Sequence, residues 1–86
     1  MNKEYIFSVI KSNLEEILSD LNLQQIKPEQ SMEELGANSM DRAEIIIVSM
    51  AKLNIKVPLT QFGKAKNIQD VVDVFYNAVT TNKQIA

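Results

Sequence analysis

The stretch of sequence that decides the fold lies at residues 34–46, which read Glu-Leu-Gly-Ala-Asn-Ser-Met-Asp-Arg-Ala-Glu-Ile-Ile. Gly36 permits backbone angles that other residues avoid, so this position predicts a turn. Asn38 is a favourable N-cap, and an apolar-rich helix follows it from Ser39. An acidic residue in the first turn, Asp41, suits the positive end of the helix dipole. We therefore expect the Ser39 hydroxyl at a place where backbone N–H groups point outward and a phosphate is favoured.

The same stretch resembles the modification site of the acyl carrier proteins, whose signature is Gly, a small residue, Asp, Ser, Leu and then an acidic residue opening the second helix. The matching residues here are Gly36, Ala37, Asn38, Ser39, Met40 and Asp41. The resemblance implies that Ser39 carries a 4′-phosphopantetheine arm, taken from coenzyme A, through a phosphodiester. Asn38 departs from the family's Asp: it keeps the capping role but removes a charge that the phosphopantetheinyl transferase meets.

Composition excludes several classes of function. The chain has 86 residues, which fits one domain over residues 1–86 with a modest core. It has no cysteine and no histidine, which excludes disulfides, a serine hydrolase triad and a typical zinc site. The net charge of −2 gives a nucleic-acid partner no electrostatic support. The resemblance to the carrier family implies a protein that has no catalytic residue and no metal ligand and is not an enzyme.

Two features predict a cytoplasmic protein without a membrane segment. The first five residues, Met-Asn-Lys-Glu-Tyr, lack the apolar region of a signal peptide. The longest strongly apolar run, from Ile45 to Val48, is far too short to span a bilayer.

Apolar residues at helical spacing predict an all-α fold, a small bundle of three main helices and one short helix. The first helix is expected over Asn2 to Asp20. Its apolar face is formed by Ile6, Val9, Ile10, Leu14, Ile17, Leu18 and Leu21. A long loop should follow from Asn22 to Asn38, with Ile26, Met32 and Leu35 as anchors in the core and residues 30–35 as a candidate turn of helix.

The second half of the chain predicts the remaining elements in order. They are a second helix over Ser39 to Leu53, an extended connector over Asn54 to Pro58, a short helix over Leu59 to Phe62 with Gly63 as its stop, and a final helix from the cap Asn67 to about Thr80. The apolar stripe of the final helix is Ile68, Val71, Val72, Phe75 and Val79. The tail from Thr81 to Ala86 is expected to fray. The connector also matches that of the acyl carrier family, so the resemblance covers nearly the whole chain.

The second helix is apolar nearly all round, more than one buried face requires. In the resembling family, Ile45, Ile46, Val48 and Leu53 match core positions. A second stripe, formed by Met40, Ala43, Ile47 and Met50, matches the face that partner enzymes touch. An exposed apolar stripe is typical of an interaction site, and Met suits a surface that fits several partners. The alternative is that the bundle buries this stripe instead.

Charged residues near the serine complete the predicted partner surface. Glu33, Glu34, Asp41 and Glu44 cluster around Ser39, and carrier partners commonly present basic patches to such clusters. The predicted recognition residues are therefore Asn38, Met40, Asp41, Ala43, Glu44, Ile47 and Met50. A solvated acidic face is the alternative interpretation.

The resemblance implies a discrete, monomeric acyl carrier protein that holds acyl groups as thioesters and moves them between enzymes. The implied partners are the transferase and an acyltransferase, a ketosynthase or an enzyme similar to HMG-CoA synthase. The sparse acidity of the second helix resembles stand-alone carriers of bacterial polyketide pathways, some of which donate acetyl for β-branching. Glu44 stands where acceptor carriers of that pathway often have Trp. A fatty-acid carrier, an amino-acid carrier and an unmodified carrier-like interaction domain remain alternatives.

Overall fold

The computed structural model describes residues 2–18 and 26–85, with side chains described up to residue 80. Within these ranges the chain forms α1 (Lys3–Ile17), α2 (Ser39–Leu53), a short 3-10 helix η1 (Leu59–Phe62) and α3 (Ile68–Ile85). The described residues contain no strand. The predicted all-α bundle of three main helices and one short helix is confirmed, and none of the described helices is long and apolar enough to cross a membrane.

The first helix is shorter than predicted at both ends. Asn2 is its N-cap, and the Asn2 side chain accepts a hydrogen bond from the Tyr5 N–H at 2.8 Å. The helix ends at Ile17 with Leu18 as its C-cap, so the predicted end at Asp20 is wrong. Two acidic residues, Glu15 and Glu16, occupy the last turn without a basic residue, and negative charge there opposes the helix dipole. The predicted core residue Leu21 and the start of the loop lie outside the described residues.

The core lies where the three helices meet and is completed by anchors from the loop and the connector. Its fully buried apolar side chains are Ile6, Ile10 and Leu14 of α1, Ile45 of α2, and Ile68, Val72 and Phe75 of α3. The loop anchors Ile26 and Met32 are buried as predicted, whereas Leu35 is half-buried and packs against the core. The ring centroids of Phe62 in η1 and Phe75 in α3 lie 5.1 Å apart, which joins the short helix to α3.

A left-handed residue turns the chain at the end of α2. Asn54 has φ 56° and ψ 44°, a conformation that Asn tolerates better than most residues. The connector is extended, as predicted, and buries Ile55 and Val57.

The last helix begins as predicted and ends later. Asn67 caps α3, since its side-chain oxygen accepts the Asp70 N–H at 2.8 Å. The helical backbone continues to Ile85, beyond the predicted end near Thr80. The segment from 81 to 85 contains neither glycine nor proline, and its lysine and glutamine are good helix formers.

A buried polar pair joins α1 to α2, and sequence periodicity did not indicate it. Asn13 and Ser49 are both fully buried, and Asn13 Nδ2 donates to Ser49 Oγ at 2.7 Å. Asn13 Oδ1 has no hydrogen-bond partner among the described residues. Since a buried donor needs its acceptor, this pair fixes how the two helices face each other.

We expect Ser49→Ala to destabilise the protein by about 1–3 kcal/mol, because it leaves Asn13 Nδ2 buried without an acceptor. The measurement is urea unfolding followed by circular dichroism. Ser8→Ala is the control: Ser8 is exposed on α1, and the substitution should change the free energy of unfolding by no more than about 0.5 kcal/mol. Equal effects of the two substitutions would contradict a structural role for the pair.

Candidate functional site

The loop before α2 tightens into turns that set the position of the serine. Leu35, Gly36 and Ala37 donate backbone hydrogen bonds to carbonyls at Met32 and Glu33 at 3.0–3.1 Å. Residues 32–36 form hydrogen-bonded turns, whereas the sequence indicated a candidate turn of helix over residues 30–35. Gly36 has φ +102°, a region that glycine enters without strain, so the predicted turn is confirmed. Ala37 is buried, which ties the chain to the core immediately before the helix starts.

The start of α2 is fixed by two reciprocal hydrogen bonds. Asn38 Oδ1 accepts the Asp41 N–H at 2.8 Å, which confirms the predicted cap. Asp41 Oδ2 accepts the Asn38 N–H at 3.2 Å in return. This is a capping box, and it gives Asp41 a structural role that the sequence reasoning had missed.

Ser39 is the first residue of α2 and is exposed to solvent. Among the described residues, no hydrogen bond engages its hydroxyl. Since the Asn38 side chain provides the cap, the Ser39 hydroxyl is not needed for capping and can carry a substituent. A negatively charged phosphodiester would sit at the positive end of the helix dipole, where it is favoured. A phosphate-linked arm therefore fits this position.

Three of the four acidic side chains near Ser39 are held by local contacts. Glu33 pairs with Arg42, with Oε2 and Nη1 3.3 Å apart. Glu34 and Ser31 exchange hydrogen bonds between side chain and backbone at 3.0 and 3.3 Å. Asp41 belongs to the capping box, and Glu44 is exposed one turn along the helix. Most of the predicted acidic cluster therefore orders the loop and the helix start.

An open groove with a volume of about 530 Å³ runs beside α2. The loop, α2, η1 and the start of α3 form it, and Arg42 and Ala43 bring it within one turn of Ser39. Its apolar floor consists of Met32, Ile46, Phe62 and Val71. Its charged lining residues are Glu33, Arg42 and Lys66. The sequence did not predict this groove, because its walls come from four separate segments.

The predicted docking stripe on α2 is only partly exposed. Met40 is 80% exposed and Ile47 is 51% exposed, so the alternative that the bundle buries the stripe is wrong for these two. Ala43 is half-buried and lines the groove. Met50 is half-buried and packs against the core, and its sulfur accepts the Val57 N–H at 3.3 Å. The connector folds back over the last turn of α2 and covers Met50, which corrects its placement on the free surface.

The buried face of α2 is also shifted slightly from the prediction. Ile45, Ile46 and Leu53 are buried, but Val48 is only half-buried. Ser49 takes the buried place through its hydrogen bond to Asn13. A further apolar residue, Leu59 of η1, is 46% exposed at the groove, and no periodic pattern singled it out.

Residues 8–75, which contain the capped serine and the groove, match the protein family described as phosphopantetheine attachment site. The chain belongs to the acyl carrier protein family. It is 39% identical, over 92% of its length and 96% of the relative, to the polyketide biosynthesis acyl-carrier-protein AcpK of Bacillus subtilis (strain 168). It is 31% identical to the acyl carrier protein of Thermosynechococcus vestitus, over 92% of this chain and 98% of that relative.

A solved structure shares the fold. It is the crystal structure of the curacin biosynthetic pathway HMG synthase in complex with acetyl donor-ACP, and the similarity has a TM-score of 0.80 and 36% identity. The match covers 87% of this chain and 96% of that chain, so the matching chain has the size of a carrier. Members of this family bear the covalent 4′-phosphopantetheine group. The protein is thus an acyl carrier that presents acyl groups to partner enzymes and is not itself an enzyme.

Removing the cap of this acyl carrier should weaken α2 as a unit. We expect Asn38→Ala to cost about 1 kcal/mol of stability, because the Asp41 N–H loses its acceptor. Asn38→Asp is the matched control, since a carboxylate oxygen caps a helix equally well. Chemical unfolding of the three proteins tests this expectation, and an Asn38→Ala midpoint equal to that of the wild type would contradict it.

The two faces of α2 should respond in opposite ways to a charge. Ile45→Glu places a carboxylate at a fully buried site and removes core packing, so we expect a loss of about 2–5 kcal/mol, enough to unfold a small domain. Ile47→Glu alters an exposed side chain, and its cost should stay within about 0.5 kcal/mol. Thermal unfolding of both variants decides the matter. A collapsed Ile47→Glu beside a folded Ile45→Glu would mean that α2 faces the other way.

Proposed function

We propose that this carrier donates acetyl groups to an enzyme similar to HMG-CoA synthase during β-branching in polyketide biosynthesis. The observation that carries the proposal is the likeness to a carrier-sized chain from an HMG synthase complex with an acetyl donor-ACP. The 39% identity to a polyketide biosynthesis acyl-carrier-protein supports the same pathway class. At position 44 the chain has Glu, which disfavours the acceptor role in that pathway.

Ser39 is the attachment site in this proposal. A phosphopantetheinyl transferase loads the arm from coenzyme A, and the terminal thiol of the arm carries the acetyl group as a thioester. The exposed hydroxyl, the independent cap at Asn38 and the positive end of the helix dipole support this assignment. The carrier raises the effective concentration of acetyl at its partner by tethering it.

The partner enzyme docks on the exposed side of α2 next to Ser39. Met40 and Ile47 supply apolar contacts, and Ala43 lies between them at the groove. Asn38, Asp41 and Glu44 lie beside these residues on α2 and complete the recognition surface, whereas Met50, covered by the connector, is left out of it. Central apolar anchors carry most of the binding energy in typical interfaces, so Ile47 is the residue we expect to matter most.

We place the carrier in the cytoplasm as a monomer. The apolar side chains exposed on α2 are few, and a transient contact with successive enzymes explains them without a dimer.

A carrier for fatty-acid synthesis is the second candidate. Several relatives, including those from Thermosynechococcus vestitus and Wolinella succinogenes, have the general name acyl carrier protein and are 31–34% identical. The acetyl-donor proposal is preferred because α2 has only two acidic residues, Asp41 and Glu44, near its start.

Acetyl transfer tests the proposal directly. The carrier is loaded from acetyl-coenzyme A by a broad-specificity transferase, and intact mass then follows acetyl loss to a polyketide-pathway HMG synthase. We expect rapid loss from the wild type, no loading of Ser39→Ala, and normal loading but at least about tenfold slower transfer with Ile47→Glu.

Two results would count against the proposal. Loading of Ser39→Ala with the same mass increment would remove Ser39 as the attachment site. Acetyl that stays on the wild-type carrier, while a malonyl-loaded sample serves a fatty-acid ketosynthase, would favour the second candidate.

A further inference from the structure

Arg42 has an unusual position beside the attachment site. It is the one arginine of the chain, and no other cationic residue occurs between Lys27 and Lys52. It lies in the first turn of α2, three residues after Ser39. Side chains three residues apart on a helix are neighbours, with Cβ atoms about 5–6 Å apart. A phosphodiester on Ser39 Oγ would therefore lie within reach of the Arg42 guanidinium.

The present partner of Arg42 is held weakly. A single contact of 3.3 Å joins Arg42 Nη1 to Glu33 Oε2, and the Glu33 side chain is 78% exposed. This contact uses one of the five N–H donors of the guanidinium. Exposed ion pairs of this kind contribute little to stability because water solvates both partners well. Arg42 can therefore exchange Glu33 for another anion at small cost.

The surroundings of Ser39 favour a nearby cation once the arm is attached. Glu33, Glu34, Asp41 and Glu44 already place negative charge near the serine, and a phosphodiester adds one more. The Asp41 carboxylate accepts the Asn38 N–H in the capping box and would lose that hydrogen bond if it moved away. The guanidinium suits this role because two parallel N–H donors match two phosphate oxygens.

We propose that Arg42 positions the arm: when Ser39 is modified, Arg42 leaves Glu33 and binds the phosphodiester. This inference rests on the assignment of Ser39 as the attachment site. Because Arg42 also lines the groove, the exchange holds the first segment of the arm at this groove, whose lining also includes Lys66. It also releases the Glu33 carboxylate into solvent beside the arm. The loaded carrier then presents a charge pattern that differs from that of the unloaded one.

Nuclear magnetic resonance can test this exchange without any partner enzyme. Since Arg42 is the sole arginine, its guanidinium Nε–H signal in ¹⁵N-labelled protein is identified without ambiguity. Full-length carrier is compared before and after loading with coenzyme A, and intact mass confirms each loading. We expect Glu33→Gln to shift the Arg42 signal in the unloaded form but not in the loaded form. Glu34→Gln is the matched control and should shift it in neither, because Glu34 contacts Ser31 instead.

The phosphorus signal of the arm gives a second, independent readout. The ³¹P resonance of loaded wild type should differ from that of loaded Arg42→Gln, with Arg42→Lys between them because lysine keeps the charge but loses the paired donors. Identical ³¹P resonances in wild type and Arg42→Gln would overturn the exchange, as would a Glu33→Gln shift of equal size in both forms. Failure of the wild type to gain the arm's mass would instead overturn the attachment site, and the exchange with it.

Discussion

The two hydrogen bonds between Asn38 and Asp41 are the constraint on which the rest of the site depends. They fix Ser39 as the first residue of the helix. The hydroxyl of Ser39 takes no part in these two hydrogen bonds. A helix start has several N–H groups to satisfy, and a serine at this place would often be needed for that purpose. Here the Asn38 side chain accepts the Asp41 N–H, so the Ser39 hydroxyl is not used as a cap and is available for chemistry. The turn at Gly36 and the burial of Ala37 hold this start against the core.

Helix α2 then has to meet two demands at once. Its buried face joins the core through Ile45 and Leu53 and joins α1 through the hydrogen bond of Ser49 to Asn13. Its exposed face keeps Met40 and Ile47 in contact with water, which costs hydrophobic stabilisation that burial would have supplied. A carrier that must present one face to successive enzymes has a physical reason to retain this cost, since an apolar face in water is what a partner can bury.

The groove beside α2 adds a second surface close to Ser39 in the chain. Its floor is apolar, and it is lined by two cations, Arg42 and Lys66, and by the carboxylate of Glu33. An anionic arm on Ser39 would meet the cations of the groove at Arg42, three residues further along the same helix. In the proposed exchange, the weak ion pair between Arg42 and Glu33 breaks when the arm is attached, and Arg42 then binds the phosphodiester.

The sequence by itself determined what depends on neighbouring residues: the turn at Gly36, the caps at Asn38 and Asn67, and the apolar faces of the helices. These features follow from local backbone preferences and from periodicity, and both can be recognised in the amino-acid sequence alone. Tertiary structure alone decided which side chains meet across elements. It paired Asn13 with Ser49, covered Met50 with the connector and left Val48 half-buried, and it assembled the groove from four segments. Such contacts depend on the angles and distances between helices, which no local pattern specifies. The C-terminal ends of α1 and α3 were not predicted correctly, because the sum of several weak effects of charge and helix propensity decides where a helix ends.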